Sequence, residues 1–415
     1  MTGARSVSRR RRRSRLRRVL TRLLAVTFVL LVLLVGYLGL VAVRRAAPVV
    51  LPAPAGPYQV GRMTYDWTDT GRVDPLAPRP GTRRELSVWV WYPAARDAVG
   101  ERAAYAPGSW DQLHLPGPLG LFEGPFGRVR SSARDGVPVA AGRFPVVVLE
   151  PGLGFSAPQY TVLAEDLASR GYLVAGVTPT YSANLSVLHG QPVSSTPAGN
   201  PPDLGGHTGP AGTEADRLVD VWAADARYVA DTMAGLDRTG PFASRVAAGQ
   251  LSYVGHSFGG AAALQACSTD PRCAAAVDLD GTQFGAVVHG GLHAPMLLLG
   301  SDGSCVTGTC RPHSAEDRAD RDTARSLLAA STGQAWCYRI VGTRHFNFTD
   351  DAALYLAPPV RNLLALGSID GARGLVVQNA YVGAFLDQAV RGLPQPLLGA
   401  GPERYPEVRA GCGQP

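Results

Sequence analysis

The 415-residue chain contains no lysine, so all 40 of its basic residues are arginines. Charged residues make up only 18% of the sequence and hydrophobic residues 46%, a balance that excludes an intrinsically disordered chain and allows a large core. Residues 1–22 hold ten arginines and no acidic residue, which leaves 30 arginines against 33 acidic residues in the remainder. Because that remainder is nearly neutral, we expect no surface that follows a nucleic-acid backbone.

Cysteine is also scarce, and its spacing argues against a zinc site. No Cys-x-x-Cys pair, the usual start of a structural zinc site, occurs in the sequence. Six cysteines are instead typical of disulfides in an exported protein, although the pairing stays open because six cysteines can combine in many ways. The sequence separations favour two short loops and one long-range pair: Cys267–Cys273, Cys305–Cys310 and Cys337–Cys412.

An uncharged apolar run of 21 residues, 23–43, follows the arginine cluster. At a rise of about 1.5 Å per residue, a helix of this length crosses a hydrocarbon core about 30 Å thick. The run is longer than the apolar part of a signal peptide, and it ends at Arg44-Arg45 instead of a small-residue cleavage site. The sequence therefore predicts a transmembrane signal anchor that keeps residues 1–22 in the cytoplasm and places the following chain outside. Cleavage and secretion, or twin-arginine export, is the alternative.

Two further segments complete the predicted organisation. Residues 44–57 are rich in Pro and Ala and predict a semi-rigid spacer that leads away from the membrane. Residues 58–415 contain neither an internal repeat nor a second linker of this composition, so we expect them to form one folded domain.

In this domain, short apolar runs alternate with helical patterns, which predicts an α/β fold with a mainly parallel sheet and helices on both faces. The predicted strands are 86–92, 145–149, 172–177, 251–254, 274–279, 295–299 and 336–341. The predicted helices are 158–169, 213–236, 259–267, 315–330 and 376–390. Residues 182–212 predict a long loop, and we expect this segment and residues 96–143 to shape a pocket at the carboxyl ends of the strands.

The strongest chemical signal is Gly255-His256-Ser257-Phe258-Gly259, which lies between a predicted strand and a predicted helix. A nucleophile elbow requires this context, because its serine sits in a tight turn and glycines on either side let the backbone pass. We therefore predict Ser257 as the nucleophile. The amides that begin the next helix point toward a developing oxyanion, so the Phe258 N–H is the first predicted oxyanion donor.

A serine nucleophile needs a histidine base and an acid, which in this fold follow the serine in the order acid, then histidine. The histidines that follow Ser257 are His289, His293, His313 and His345. We predict His345 as the base because it follows the last predicted strand. Two carboxylates that end strands, Asp280 and Asp302, are equally good candidates for the acid on this pattern alone.

The second oxyanion donor is expected in the loop after an earlier strand. Pro151-Gly152-Leu153-Gly154 directly follows the strand 145–149, and its glycines allow backbone N–H groups to turn inward. We predict the Leu153 N–H as this donor; an ordinary Pro-Gly turn is the alternative interpretation.

Together these motifs resemble the platelet-activating-factor acetylhydrolase-like family of α/β-hydrolases over nearly all of residues 56–392. The resemblance lies in GPYQVG (56–61), VWYPA (90–94), PGLG (151–154), GHSFGG (255–260), LDG (279–281) and HFNFTD (345–350). It implies a cofactor-free, calcium-independent serine esterase for short or modified acyl groups, and it favours Asp280 as the acid. Pro151 stands where the family's oxyanion turn often begins with His, which keeps the Leu153 donor but argues against phospholipid as the default substrate.

The sequence as a whole predicts a membrane-anchored, extracytoplasmic serine hydrolase of carboxylic esters. Two alternatives remain: an acyltransferase that acts on a cell-envelope acceptor, and a catalytically inactive hydrolase fold that serves as a binding module.

Overall fold

The computed structural model describes residues 4–115, 117–204, 210–399 and 404–412. Part of the predicted loop 182–212, namely residues 205–209, lies outside these ranges, as do residues 1–3 of the arginine-rich segment. The α-helices are α1 Ala4–Ala46, α2 Thr161–Ser169, α3 Pro210–Gly235, α4 Phe258–Thr269, α5 Val287–Gly290, α6 Ala315–Ala330, α7 Pro358–Leu363 and α8 Gly371–Arg391. The strands are β1 Val49–Val50, β2 Gln59–Val73, β3 Arg83–Ala94, β4 Arg102–Ala104, β5 Val129–Asp135, β6 Phe144–Glu150, β7 Leu173–Thr178, β8 Leu185–Leu188, β9 Gln191–Ser194, β10 Val246–His256, β11 Cys273–Leu279, β12 Met296–Ser301, β13 Ala335–Ile340 and β14 Val408–Ala410.

Helix α1 contains the predicted anchor. Its stretch from Arg17 to Ala46 is long and apolar enough to cross a membrane, and nearly all of its described side chains are exposed. Val41 is an exception, because it is buried near the end of the helix. A row of exposed leucines and valines of this length is unfavourable in water, whereas a hydrocarbon environment would solvate it.

The main sheet has twelve strands in the order β1-β5-β2-β3-β7-β6-β10-β11-β12-β13-β14, with β4 paired to β5. From β7 through β13 all neighbouring strands are parallel, whereas β3 is antiparallel to β7 and β14 is antiparallel to β13. The prediction of an α/β fold with a mainly parallel sheet is confirmed. Every predicted strand of the parallel region is present, with ends that differ by a few residues.

Helices cover both faces of this sheet, and the side chains of each strand alternate between them. In β6, Val147 and Leu149 belong to the core shared with α2 and α8. Val146 and Val148 point to the opposite side and pack in the core that includes α3 and α4. Because both faces are buried, the central strands consist of continuous apolar runs, and for this reason they could be predicted from the sequence.

The peripheral strands were not predicted. In β2 exposed and half-buried residues alternate over most of its 15 residues, and the strand pairs with β3 over a long antiparallel ladder. Strands β8 and β9 form a hairpin inside the segment that was predicted as a loop. A half-exposed strand such as β2 carries polar residues, so it lacks the apolar run that marks a central strand.

Residues 44–57, whose composition predicts a semi-rigid spacer, contact the domain at several points. Strand β1 pairs with β5, and Arg45 Nε donates a hydrogen bond of 2.7 Å to the Glu123 carbonyl. The Gly56 N–H donates to Ser169 Oγ at 2.8 Å. The end of α1 is therefore attached to the domain by backbone pairing and side-chain contacts.

The six cysteines form the three disulfides that their separations favour: Cys267–Cys273, Cys305–Cys310 and Cys337–Cys412. The last of these joins β13 to the segment after β14 and closes a loop with a sequence separation of 75. In the chain-entropy account, a crosslink across a loop of this size stabilises the folded state by about 4 kcal/mol.

Candidate active site

The turn between β10 and α4 presents Ser257 at the carboxyl edge of the sheet. Ser257 has φ 56° and ψ −127°, a backbone conformation that costs a residue other than glycine about 1–3 kcal/mol. The turn persists because the Ser257 N–H donates to the Leu279 carbonyl at 2.9 Å. At Gly255, a Cβ atom would collide with the Gly259 carbonyl, so only glycine fits this side of the turn.

His345 and Asp280 lie next to this serine. His345 Nδ1 is 2.9 Å from Asp280 Oδ2, and His345 Nε2 is 2.9 Å from Ser257 Oγ. A carboxylate only accepts hydrogen bonds, so Nδ1 carries the proton and Nε2 is free to accept the serine hydroxyl proton. The second carboxylate oxygen of Asp280 accepts the Ser301 N–H at 2.7 Å, which holds the group in place.

Asp280 is ionised in this setting. Burial alone would raise its pKa, but the hydrogen bond and charge of His345 together with hydrogen bonds from Ser301 and Ser304 bring the pKa below the ordinary value. A negative charge beside Nδ1 favours protonation of the imidazole when Nε2 takes up a second proton. The arrangement therefore suits proton transfer from Ser257 to His345.

The other candidate acid, Asp302, lies apart from His345. Its Oδ2 accepts the Gly342 N–H at 2.9 Å, and its own N–H donates to the Thr343 carbonyl. Asp302 thus shapes the turn that leads to His345, and its carboxylate makes no described hydrogen bond to the imidazole. The structure brings Asp280 to the histidine and leaves Asp302 at an exposed turn.

Leu153 and Phe258, whose amides are the predicted oxyanion donors, line the same cavity as Ser257. This cavity has a volume of about 410 Å³ and is lined by Leu153, Ser257, Phe258 and His345, among others. The Phe258 N–H is the first of α4, where an α-helix offers no internal acceptor. Among the described hydrogen bonds none uses the Leu153 N–H.

The rest of the cavity wall is partly apolar and partly acidic. Phe284 and Val306 supply apolar surface, whereas Glu316 and Asp320 of α6 supply carboxylates. From the segments expected to shape the pocket, Leu204 of residues 182–212 lines the wall, and no residue of 96–143 does so in the described part of the chain.

Sequence reasoning missed a second histidine at this site. His256, in the middle of the Gly-x-Ser motif, is fully buried, and its Nδ1 lies 2.9 Å from the Tyr160 hydroxyl. The Tyr160 oxygen accepts the Gly152 N–H at 2.8 Å, and His256 Nε2 is 3.0 Å from the His345 carbonyl. A histidine at this motif position carries no role by pattern alone, and Tyr160 is 96 residues away in the chain.

Over the ranges that the structure describes, no group of three or more His, Cys, Asp or Glu side chains is arranged to hold a metal ion.

No protein-family model matches the chain, but several known proteins are similar to it. A probable 1-alkyl-2-acetylglycerophosphocholine esterase of Arthroderma benhamiae is 25% identical over 399 residues, covering 86% of this chain and 93% of that protein. A platelet-activating factor acetylhydrolase of Bos taurus is 24% identical over 287 residues, covering 64% of this chain and 63% of that protein. The solved structure of a ferulic acid esterase from Streptomyces cinnamoneus superposes with a TM-score of 0.70 at 32% identity, covering 88% of this chain and 99% of that chain.

Proposed function

The chain belongs to the platelet-activating-factor acetylhydrolase-like family of α/β-hydrolases and is a carboxylic ester hydrolase, and on that premise we propose that Ser257, His345 and Asp280 carry out the hydrolysis through an acyl-enzyme. The observation that carries the proposal is the pair of 2.9 Å hydrogen bonds that His345 makes, one to Ser257 and one to Asp280.

In the first half of the reaction, Ser257 Oγ attacks the ester carbonyl carbon while His345 Nε2 removes the hydroxyl proton. The carbonyl oxygen becomes an oxyanion, which accepts hydrogen bonds from the Leu153 and Phe258 N–H groups. When the tetrahedral intermediate collapses, the carbon–oxygen bond to the alcohol breaks and His345 returns the proton to the departing oxygen. The acyl group stays on Ser257.

In the second half, a water molecule takes the place of the alcohol. His345 removes a proton from this water as its oxygen attacks the acyl carbon, and the same two amides hold the new oxyanion. Collapse breaks the bond to Ser257 Oγ, which regains its proton from His345. Asp280 stays ionised throughout and stabilises the imidazolium that forms twice in the cycle.

The substrate that we propose is an ester with a short or modified acyl group. The names of the related proteins indicate different esters, an acetylglycerophosphocholine in one case and a ferulic acid ester in another. A cavity of about 410 Å³ at Ser257 favours a compact group on one side of the scissile bond.

We also propose that α1 anchors the enzyme in the cell membrane, with residues 1–22 in the cytoplasm and the domain 58–415 outside. The arginine cluster before residue 23 and the three disulfides support this orientation, because arginines stay inside and disulfides persist in oxidising compartments. The attachment of residues 44–57 to the domain would hold the domain close to the membrane surface. Protease added to intact cells should then remove the domain, whereas an internal domain would resist.

Initial rates with nitrophenyl esters from acetyl to palmitoyl test the catalytic proposal. The full chain in detergent is compared with its Ser257→Ala variant. We expect a serine-dependent rate that falls steeply beyond short acyl chains. A rate that rises with chain length would indicate a lipase. Rates equal to those of Ser257→Ala on every ester would contradict the esterase proposal and favour the inactive binding module.

A further inference from the structure

We propose that His256 and Tyr160 form a positioning pair that couples the oxyanion turn to the general base. The pair has no part in proton transfer, and it acts by keeping the Leu153 amide and the His345 ring in register with Ser257. This inference rests on the proposed function, because it assigns the pair to the same reaction.

The direction of each hydrogen bond follows from the groups involved. The His345 carbonyl oxygen, 3.0 Å from His256 Nε2, only accepts, so Nε2 carries the proton of a neutral imidazole. Nδ1 is then an acceptor, and the Tyr160 hydroxyl donates to it at 2.9 Å. The Tyr160 oxygen is in turn free to accept the Gly152 N–H at 2.8 Å. The chain of donors runs without a gap from Gly152 through Tyr160 and His256 to His345.

Burial keeps this network neutral. His256 is fully buried and Tyr160 is 1% exposed. Burial, and then the neighbouring His345, lower the pKa of His256 to about 3, so the ring stays uncharged near neutral pH. A ring without a charge does not repel the imidazolium that forms on His345.

The two ends of the network lie at the oxyanion turn and at His345, whose positions relative to Ser257 must be maintained. Gly152 precedes Leu153, whose amide is a proposed oxyanion donor, and a Cβ atom at Gly152 would stand 3.3 Å from Ser257 Cβ. At the other end, the carbonyl that His256 binds belongs to His345 itself. The ring of His256 also stacks on Phe348, with ring centroids 6.0 Å apart, so it has little freedom to turn.

A site of this kind is sensitive to small displacements. Loss of one oxyanion donor costs about 100- to 1000-fold in kcat, and a misplacement near 1 Å can cost about 100-fold. Removal of the Tyr160 hydroxyl leaves the Gly152 amide and His256 Nδ1 without their partner, but it removes no group that touches the substrate. We therefore expect a loss in kcat without a matching change in KM.

The test uses Tyr160→Phe, His256→Leu and the double variant of the full chain, with Tyr92→Phe as a matched control. Tyr92 is also fully buried and donates its hydroxyl to a backbone carbonyl, that of Val137 at 2.7 Å, but its partner is outside the site. We expect kcat to fall about 10-fold in Tyr160→Phe and about 100-fold in His256→Leu, with KM within about 2-fold of wild type. Tyr92→Phe should keep kcat even if both tyrosine variants lose similar thermal stability.

Two further readouts separate positioning from a general loss of structure. The double variant should be no slower than His256→Leu alone, because both changes break one network. The rate of inactivation by a serine-directed phosphonate should fall in parallel with kcat, since the phosphonate uses the same oxyanion donors.

The inference is overturned if Tyr160→Phe keeps the kcat of Tyr92→Phe, or if the two losses multiply in the double variant. If His256→Leu does not fold, the comparison of Tyr160→Phe with Tyr92→Phe decides alone. A wild-type enzyme without Ser257-dependent activity would instead refute the proposed function, and that result is distinguishable because it does not involve Tyr160.

Discussion

The rings of His256 and His345 lie next to each other, with centroids 4.7 Å apart, but they occupy opposite environments. The His345 side chain is 35% exposed and has an ionised carboxylate at Nδ1. His256 is fully buried and has only neutral partners, a tyrosine hydroxyl and a backbone carbonyl. Residue type alone therefore does not determine the chemistry of a histidine at this site. Exposure and the charge of the partner decide which imidazole can take a proton.

The same contrast appears between two carboxyl groups at the end of β11. Asp278 and Asp280 are two residues apart, and both are buried. Burial raises the pKa of Asp278 to about 8, despite hydrogen bonds from Gln283 and Gly281. The pKa of Asp280 is instead lowered, because the interactions with His345 and Ser301 outweigh its burial. Asp280 differs from Asp278 because its partner, the His345 imidazole, becomes a cation when it takes up a proton.

The largest expected effect comes from removing the negative charge of Asp280, the hydrogen-bond partner of His345. Asp280→Asn keeps the shape of the side chain but removes the negative charge that holds Nδ1–H and stabilises the imidazolium. We expect kcat to fall about 10⁴-fold, measured on an acetyl ester near neutral pH.

Asp302→Asn is the matched control for this variant, because Asp302 was the alternative acid in the sequence and lies at an exposed turn. Its kcat should stay within about 3-fold of wild type. Equal losses in the two variants would contradict the assignment of Asp280.

Buried carboxyl groups should also make the stability of the protein depend on pH. Burial raises the pKa of Glu165 to about 7 and those of Asp278 and Asp350 to about 8. The folded state therefore holds protons that the unfolded state has lost above about pH 4, so the free energy of unfolding falls as pH rises toward 8. Buried neutral His256 acts in the opposite sense, but only below its unfolded pKa of about 6.5. Summed over Glu165, Asp278 and Asp350, we expect the free energy of unfolding to fall by about 4–5 kcal/mol between pH 6.5 and 8.5.

Urea denaturation of the full chain in one detergent, at several pH values in this range, measures the fall. Asp350→Asn removes one of these groups and keeps an oxygen that can accept the Val162 N–H, so its profile should be flatter. A wild-type profile that is level or rises with pH would refute the prediction.

The smallest expected effect concerns the charge of the cavity wall. Glu316 is exposed on α6 and lines the cavity, so its carboxylate should disfavour esters that carry a negative group. Glu316→Gln should raise kcat/KM for a nitrophenyl hemisuccinate relative to the butyrate by about 2- to 5-fold, and less at high salt. Glu101→Gln, at an exposed position outside the cavity, serves as the control. An unchanged ratio in Glu316→Gln would show that the carboxylate does not act on the substrate.

Much of the parallel sheet could be predicted, because strands that are buried on both faces must be apolar along their length. The apolar residues of β6 and β12 are of this kind. The family resemblance, which rested on motifs outside these two strands, is confirmed. The half-exposed strands β2 and β5 carry polar residues on one face, so their composition does not distinguish them from loops. The docking of residues 44–57 was also missed, since a Pro- and Ala-rich segment gives no sign of the surface that will accept it.

At the candidate site, the residues that could act were visible in the sequence alone. The Gly-x-Ser-x-Gly motif between a strand and a helix is a local feature, and the histidine is identified by its place after the last strand. Asp280 and Asp302 both follow a strand, and the tertiary structure brings the carboxylate of Asp280 to His345 while that of Asp302 accepts the Gly342 N–H. The tertiary structure also decided the pairing of Tyr160 with His256 across 96 residues. Contacts between distant segments are set by how the sheet and its loops pack, and no spacing along the chain encodes them.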